Sequence, residues 1–275
     1  MSGLFYNLGS RVGPQFRRAK WIWQSMTGSE ADAIKVENDV GRDLAREVRR
    51  QLKPDHQRFD RLTTLSNVEG PQAEEILNKV GSRLSDCVAN KLRSFSYETV
   101  EGPEPNAFAL PGGFIFVTRP LIELCEWSKD EIAFILGHEM AHVIRGHAMH
   151  RLISNCAISA TSGIAPGHGV LSRWLQKIGL QFLESAYSQE LELEADRFGV
   201  RLAAAAHYDP EACTQLLTRL SKLNQPASGL NLGSYFSSHP LYDVRINNIG
   251  RVLSKRQSLD KLGMVSKVEP LKKYL

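Results

Sequence analysis

Gly137 to His147 reads GHEMAHVIRGH, with three histidines and one glutamate in a single short stretch. His138 and His142 are four residues apart. On an α-helix that spacing puts both imidazoles on one face, one turn above the other. Two neutral imidazoles suit zinc. Glu139, between them, carries a carboxylate that can take a proton from a water at such a metal and return it to a leaving amine. The pattern is HExxH, the mark of metal-dependent peptide hydrolysis. A bare helix that happens to carry histidines is the competing reading. Against it, the surroundings have the features of a designed helix start. Ser128 is a good N-cap, and Glu131 three residues later completes a capping box. Ile132, Ile135, Leu136, Val143 and Ile144 supply an apolar stripe.

Two histidines leave zinc one protein ligand short. A metzincin would continue HExxHxxGxxH, but Arg145 and Ala148 stand at its glycine and third-histidine positions, and His147 comes one residue early. In a gluzincin the third ligand is a glutamate on a later helix, with an aspartate four residues after it. The downstream SQELELEAD offers Glu192 as that ligand and Asp196 as the acceptor that orients a ligating histidine. Glu190 and Glu194 compete for the same role. Without the upstream HExxH, such a run of acids would be read as a solvated helix face.

The elements that must position these residues are mostly helical. Ser29 to Leu52 repeats Ala33, Val36, Val40, Leu44 and Val48 at helical spacing, and Gly70 to Leu92 is a second helix with Pro71 in its first turn. The pattern then changes to strands. SFSYETVEG alternates and is rich in β-formers. Asn106 to Leu110 and Phe114 to Thr118 flank Pro111-Gly112-Gly113, which predicts an antiparallel pair across that turn. Trp127 to Leu152 reads as one helix through the HExxH segment. Ser172 to Ala206 is helical with a break near Ser185 to Ser188. Pro210 opens a further helix, and LYDVRINNIGRVLSKR is a last amphipathic one. The expected class is α+β, predominantly helical, with a small antiparallel sheet beside the histidine helix.

Four segments, in order, resemble the gluzincin zinc-metallopeptidase family that includes HtpX, the CAAX prenyl endopeptidase and the Oma-type and BepA-type proteases. NAFALPGGFIFVT resembles its substrate-binding edge strand and hairpin. LGHEMAHVIRGH resembles its zinc helix, ELEAD its third-ligand motif, and SHPLYDVRINNI its late His-Pro motif followed by an arginine. The resemblance covers roughly residues 70 to 255. It implies one Zn2+ per chain on His138, His142 and Glu192, with Glu139 as general base. It implies that His239 sits over the zinc and stabilises the oxyanion; the bland alternative is a surface histidine in a turn. It implies that Arg245 forms a buried ion pair holding the His-Pro loop or the Glu192 helix, where the alternative is a solvated helix arginine. His147 is expected to orient or pack rather than ligate. The backbone of Asn106, Ala107, Phe108 and Ala109 is expected to pair with an extended peptide by strand addition. Gln189 departs from the arginine common in relatives, and the first hundred residues match only weakly.

Composition narrows the rest. Hydrophobic residues make up 42% and charged residues 23%, ordinary for a globular chain, and the net charge of +4 is too small to argue for nucleic acid. The four cysteines include no CxxC, which argues against a thiolate zinc site or a redox dithiol, and buried or free thiols are expected. No window of about 18 uninterrupted apolar residues occurs. Leu152 to Leu171 comes nearest and is read as a connection beside the site, of which Leu152 to Gly169 could form a lid. The organisation expected is an aromatic and basic arm over 1–28, a metallopeptidase domain over 29–255 and a basic tail over 256–275. Residues 1–25 suit peripheral membrane contact, on an otherwise cytoplasmic enzyme whose partners are peptides or unfolded proteins. The rival reading is a proteolytically silent zinc-fold module with a binding or chaperone-like role.

Overall fold

In a computed structural model of the protein, the describable residues are 29–52, 69–102, 104–160, 183, 186–223, 239 and 242–261. The expected N-terminal arm lies outside them, as does most of the expected lid, from residue 161 on.

Helix α1 (Glu30–Gln51) starts where Ser29 Oγ accepts the Asp32 N–H at 3.1 Å. Its buried face is Ala33, Ile34, Gly41, Leu44, Ala45 and Val48. The expected stripe is rotated, and Val36 is 37% exposed. The reason is Gly41, which packs against the Pro111 carbonyl so tightly that a Cβ would lie 1.7 Å from its oxygen. Helix α2 (Glu69–Cys87) ends five residues before the expected Leu92. There Asn90 accepts the Leu92 N–H at 3.0 Å and turns the chain.

Strands β1 (Ser96–Val100), β2 (Ala107–Leu110) and β3 (Phe114–Thr118) form one sheet in the order β1-β3-β2. The antiparallel pairing across Pro111-Gly112-Gly113 is present, with Ala109 opposite Ile115. Gly112 and Gly113 turn there at φ of 80° and 95°, a region side chains disfavour. β1 joins the other side of β3 in parallel, so the sheet as a whole is mixed. Side chains alternate between two cores. Ala107, Ala109, Ile115 and Val117 enter the core shared with α2 and the histidine helix, whereas Phe108, Leu110 and Phe116 meet Leu44, Ala45 and Val48 of α1. A sheet covered on both faces explains why β2 and β3 read as continuous apolar runs.

After α3 (Arg119–Leu124), the histidine helix α4 runs from Lys129 to Ile144. Ser128 caps it by accepting the Glu131 N–H at 3.4 Å. The reciprocal half of the capping box is missing, because Ser128 N–H already bonds to the Cys125 carbonyl at 2.8 Å and the Glu131 carboxylate pairs with Arg219 instead. The single helix expected over 127–152 is two. Gly146, at φ 76°, ends α4, and α5 (His147–Ala160) begins in a new direction. Helix α6 (Gln189–Ala205) follows the expected break at Ser188, then come α7 (Ala212–Leu223) and α8 (Tyr242–Lys261). Cys125 and Cys213 are buried free thiols, and burial pushes Cys213 up to about 12.

The most intimate helix contact joins α4 to α6, glycine on glycine. A Cβ on Gly199 would lie 2.9 Å from the His138 backbone nitrogen, and one on Gly137 would lie 3.1 Å from Gly199 Cα. Both neighbours are backbone and cannot turn aside. Gly199→Ala is therefore expected to destabilise the fold by about 1–3 kcal/mol through overpacking. A urea midpoint unchanged from wild type would contradict this contact.

Candidate metal centre

α4 is buried along nearly its whole length, from Glu131 to Val143, so its histidines project into the protein rather than into solvent. α6 crosses it at the glycine contact and brings Glu192 and Asp196 alongside. His239 enters from the residues before α8. The result is a cluster of His138, His142, Glu192 and His239, all buried, whose donor atoms lie within 4.8 Å of one another.

The spacings discriminate between a metal site and a polar knot. His138 Nε2 and His142 Nε2 are 3.1 Å apart. Glu192 lies 3.5 Å from the first and 3.4 Å from the second. His239 Nδ1 lies 3.3 Å from His138 Nε2 and 3.0 Å from Glu192 Oε1. Bonds of about 2.0–2.1 Å to one tetrahedral ion put its ligand atoms about 3.3 Å apart. The five edges cluster around that length. The donor set fits zinc.

The outer contacts settle which ring nitrogen faces the cluster. Asp196 Oδ1 accepts from His138 Nδ1 at 2.9 Å, which leaves the His138 Nε2 lone pair toward the centre. Arg245 clamps Asp196 from behind, with Nε to Oδ2 at 2.9 Å and Nη2 to Oδ1 at 2.7 Å. The same guanidinium donates to the His239 carbonyl at 3.2 Å and stands 3.3 Å from Glu192. It therefore ties the residues before α8 to α6, as an ion pair that is 1% exposed. On the other histidine, His147 Nδ1 lies 3.1 Å from His142 Nδ1, and His147 Nε2 is 3.7 Å from Glu194.

Charge follows the same order. Burial would raise the Glu192 carboxyl, but His239, Arg245 and His138 outweigh it and hold the group well below its ordinary range. Asp196 is lowered because Arg245, then His138, overcome its burial. Burial drives His142 well below the usual imidazole value, so that ring is neutral. Burial acts the same way on His138, but the Glu192 and Asp196 carboxylates more than offset it and raise the group.

The structure thus gathers His138, His142, Glu192 and His239 in one cluster, with Asp196 and Arg245 behind it and His147 beside it. Glu139 Oε1 is buried without a hydrogen bond and lies 3.5 Å from His239 Nε2. His239 stands within the ring of donors, closer in than a position above it. Glu194 lies outside the cluster and pairs with Arg145 at 3.2 Å. Glu190, one turn from neither histidine, is not in the cluster either.

β2 is the edge of the sheet. Thr118 N–H bonds to the Asn106 carbonyl at 2.8 Å, and Phe108 faces Phe116 in the same register. Alternation then turns the backbone groups of Ala107 and Ala109 to the side away from β3, and those of Asn106 and Phe108 inward to β3, although all four β2 residues are buried.

Two residues escaped the sequence reading. Tyr187 stacks on the His142 ring, 3.8 Å between centroids and 14° between planes. Arg151 lies 4.4 Å over the other ring, that of Tyr187, and donates to the Ala109 carbonyl at 3.4 Å. Neither belongs to a motif, and only their chain distance from His147 and Glu192 hinted at either.

With this geometry in hand, the model of peptidase family M48 matches residues 71–252. The mitochondrial metalloendopeptidase OMA1 of Danio rerio is 28% identical over 211 residues, 73% of this chain and 44% of that protein. The counterpart from Schizosaccharomyces pombe is 32% identical over 58% of this chain and 46% of its own length. The putative beta-barrel assembly-enhancing protease of Vibrio cholerae is 28% identical over 66% of this chain and 39% of its own. The chain spans less than half the length of each of these relatives.

The outer contacts generate a test by metal affinity alone. Asp196→Asn is expected to weaken zinc binding about 10–100-fold, because the His138 ring loses the acceptor that orients it. Glu192→Gln should weaken it more, and Glu194→Gln much less than either. Competition with a chromophoric chelator ranks the three. Equal losses for Glu192 and Glu194 would mean that the cluster is misassigned.

Proposed function

We propose that this chain, which belongs to peptidase family M48, is a zinc-dependent metalloendopeptidase acting on peptides or unfolded proteins. The observation that carries the reading is the spacing of the buried His138, His142 and Glu192 donors, 3.1–3.5 Å apart, with the Glu139 carboxylate beside them. In this reading those three residues hold one zinc ion per chain. Once bound, the ion supplies a Lewis acid that lowers the pKa of a water toward about 7 and polarises the carbonyl to be attacked.

The remaining chemistry falls to side chains of this chain. Glu139 takes the proton from the attacking water and delivers it to the leaving nitrogen. Its Oε1 is buried and accepts no hydrogen bond from a described residue, which leaves that oxygen available for the proton. His239 is assigned to the oxygen that gains charge as the carbonyl is attacked. With Nδ1 among the donors it would fill the position a catalytic centre keeps open for water. That role would require the ring to leave the donors, against its burial and the Arg245 bond to its carbonyl. Asp196 and Arg245 keep the His138 ring and α6 fixed while this happens, and His147 does the same for His142. The peptide is expected to lie along β2, bonding to the outward N–H and C=O groups of Ala107 and Ala109.

The domain reading is that residues 29–255 form the metallopeptidase unit, with 1–28 as an arm and 256–275 as a tail. α8 continues as far as Lys261 and so carries the first residues of that tail. The biological role we infer is proteolytic quality control of misfolded or membrane-associated proteins. Its support is the names of the relatives, mitochondrial metalloendopeptidases and beta-barrel assembly-enhancing proteases. No helix among the described residues is long and apolar enough to cross a membrane. Contact through residues 1–25 at a membrane surface is our reading of the arm.

Glu139→Gln is expected to retain one zinc per chain and to lose casein hydrolysis by at least about 10²-fold, the usual contribution of a positioned base. Elemental analysis and a casein assay on both proteins check this. Cleavage that persists in the variant would remove Glu139 from the mechanism. A wild type that holds zinc and cleaves nothing would favour the silent binding module.

A further inference from the structure

Arg151 is an anomaly among the buried arginines. Arg245 is forked onto Asp196, and even the half-buried Arg93 pairs with Glu37. Arg151 is 6% exposed and has no ion pair among the described residues. Among the described residues its five N–H donors make a single hydrogen bond, the long one from Nη2 to the Ala109 carbonyl, and the buried Nε has no partner. A guanidinium is never neutral, so the charge cannot be relieved by losing a proton. Stacking on Tyr187 offsets only part of the cost of removing it from water.

Its position shows what could complete it. The one carbonyl it touches, that of Ala109, points away from β3 on the outer side of β2. The ring beneath it is the ring stacked on His142, which leaves at most about 8 Å between the guanidinium carbon and the His142 centroid. An extended chain advances about 3.3 Å per residue. A peptide on the β2 edge would therefore bring a group to Arg151 roughly two residues from the bond cut at the metal centre.

We propose that Arg151 is a specificity-determining residue that receives a carboxylate of the bound peptide through its guanidinium fork. The inference rests on the peptidase reading for the path of the peptide along β2. A carboxylate matches the fork with two parallel hydrogen bonds and cancels the buried charge. Two sources share this chemistry, an acidic side chain and a free C-terminus. Tyr187 acts with it as the flat spacer that sets the distance from the metal centre.

Binding, measured apart from turnover, tests this on the zinc-loaded full chain carrying Glu139→Gln. One peptide arm scans Glu against Gln through an amidated sequence. The other compares free and amidated C-termini at successive lengths. One carboxylate position is expected to tighten Kd about tenfold over its amide counterpart. That preference should fall below about twofold when Arg151→Met is added, and the arm in which it appears identifies the source. Arg151→Met without peptide should melt no lower than its parent, since it removes an uncompensated buried charge. No preference in either arm would overturn the proposal, as would a preference that survives Arg151→Met. A large fall in melting temperature would do the same by marking Arg151 as structural. Wild-type protein that binds with this preference and cleaves none of the peptides would defeat the peptidase reading and leave the carboxylate site standing.

Discussion

Asp196, a fully buried carboxylate, is the group on which the centre depends. Such a charge survives inside a protein only when donors surround it. Here Arg245 meets it with two bonds from α8 and His138 with one from α4. Three helices are thereby locked by one side chain. The same bonds set the His138 tautomer, so the electrostatics that make burial tolerable also aim a nitrogen at the centre. Take away the Arg245 guanidinium and Asp196 becomes an unpaired buried charge, while the His239 carbonyl loses its tether to α6.

Close approach of α4 and α6 is the steric partner of that constraint. Side chains on two helices reach one ion only if the backbones come near each other. Gly137 and Gly199 permit it by presenting nothing between the axes. The sheet serves the site in a different way. Covered on both faces by helices, it leaves β2 as an edge, and the alternation of its backbone groups turns Ala107 and Ala109 outward near the metal centre. In the reading proposed above, the rigid scaffold would hold the reacting groups and the β2 edge would align a chain against them.

The division of acidic labour in SQELELEAD shows how a helix sorts like residues. Glu192 and Asp196, one turn apart, face α4. Glu194 falls on a different face, where Arg145 and His147 meet it, and Glu190 stays clear of the cluster. The four acids have similar chemistry as free side chains. Helical phase, together with the neighbour each one finds, makes one a metal-ligand candidate, one a clamp and two peripheral.

Much of this protein was legible in its residues alone. Periodicities of 3.6 and 2 mark helices and strands because side-chain direction is a local property, so α1, α6, β2 and β3 were recognisable with their approximate limits, and α4 at its start. HExxH is likewise local, since one helical turn brings its histidines together wherever that helix lies. Gly146 was misread because a glycine inside an apolar period looks tolerable until its φ turns positive and starts a new helix. The mixed sheet, the inward place of His239 and the Arg245 clamp were decided by tertiary structure. Each depends on which distant segments meet, and chain spacing does not encode that. Arg151 and Tyr187 depend on it most. An arginine in a helix is ordinarily solvated, and the packing of α5 against β2 and Tyr187 buries this one with no counter-charge among the described residues.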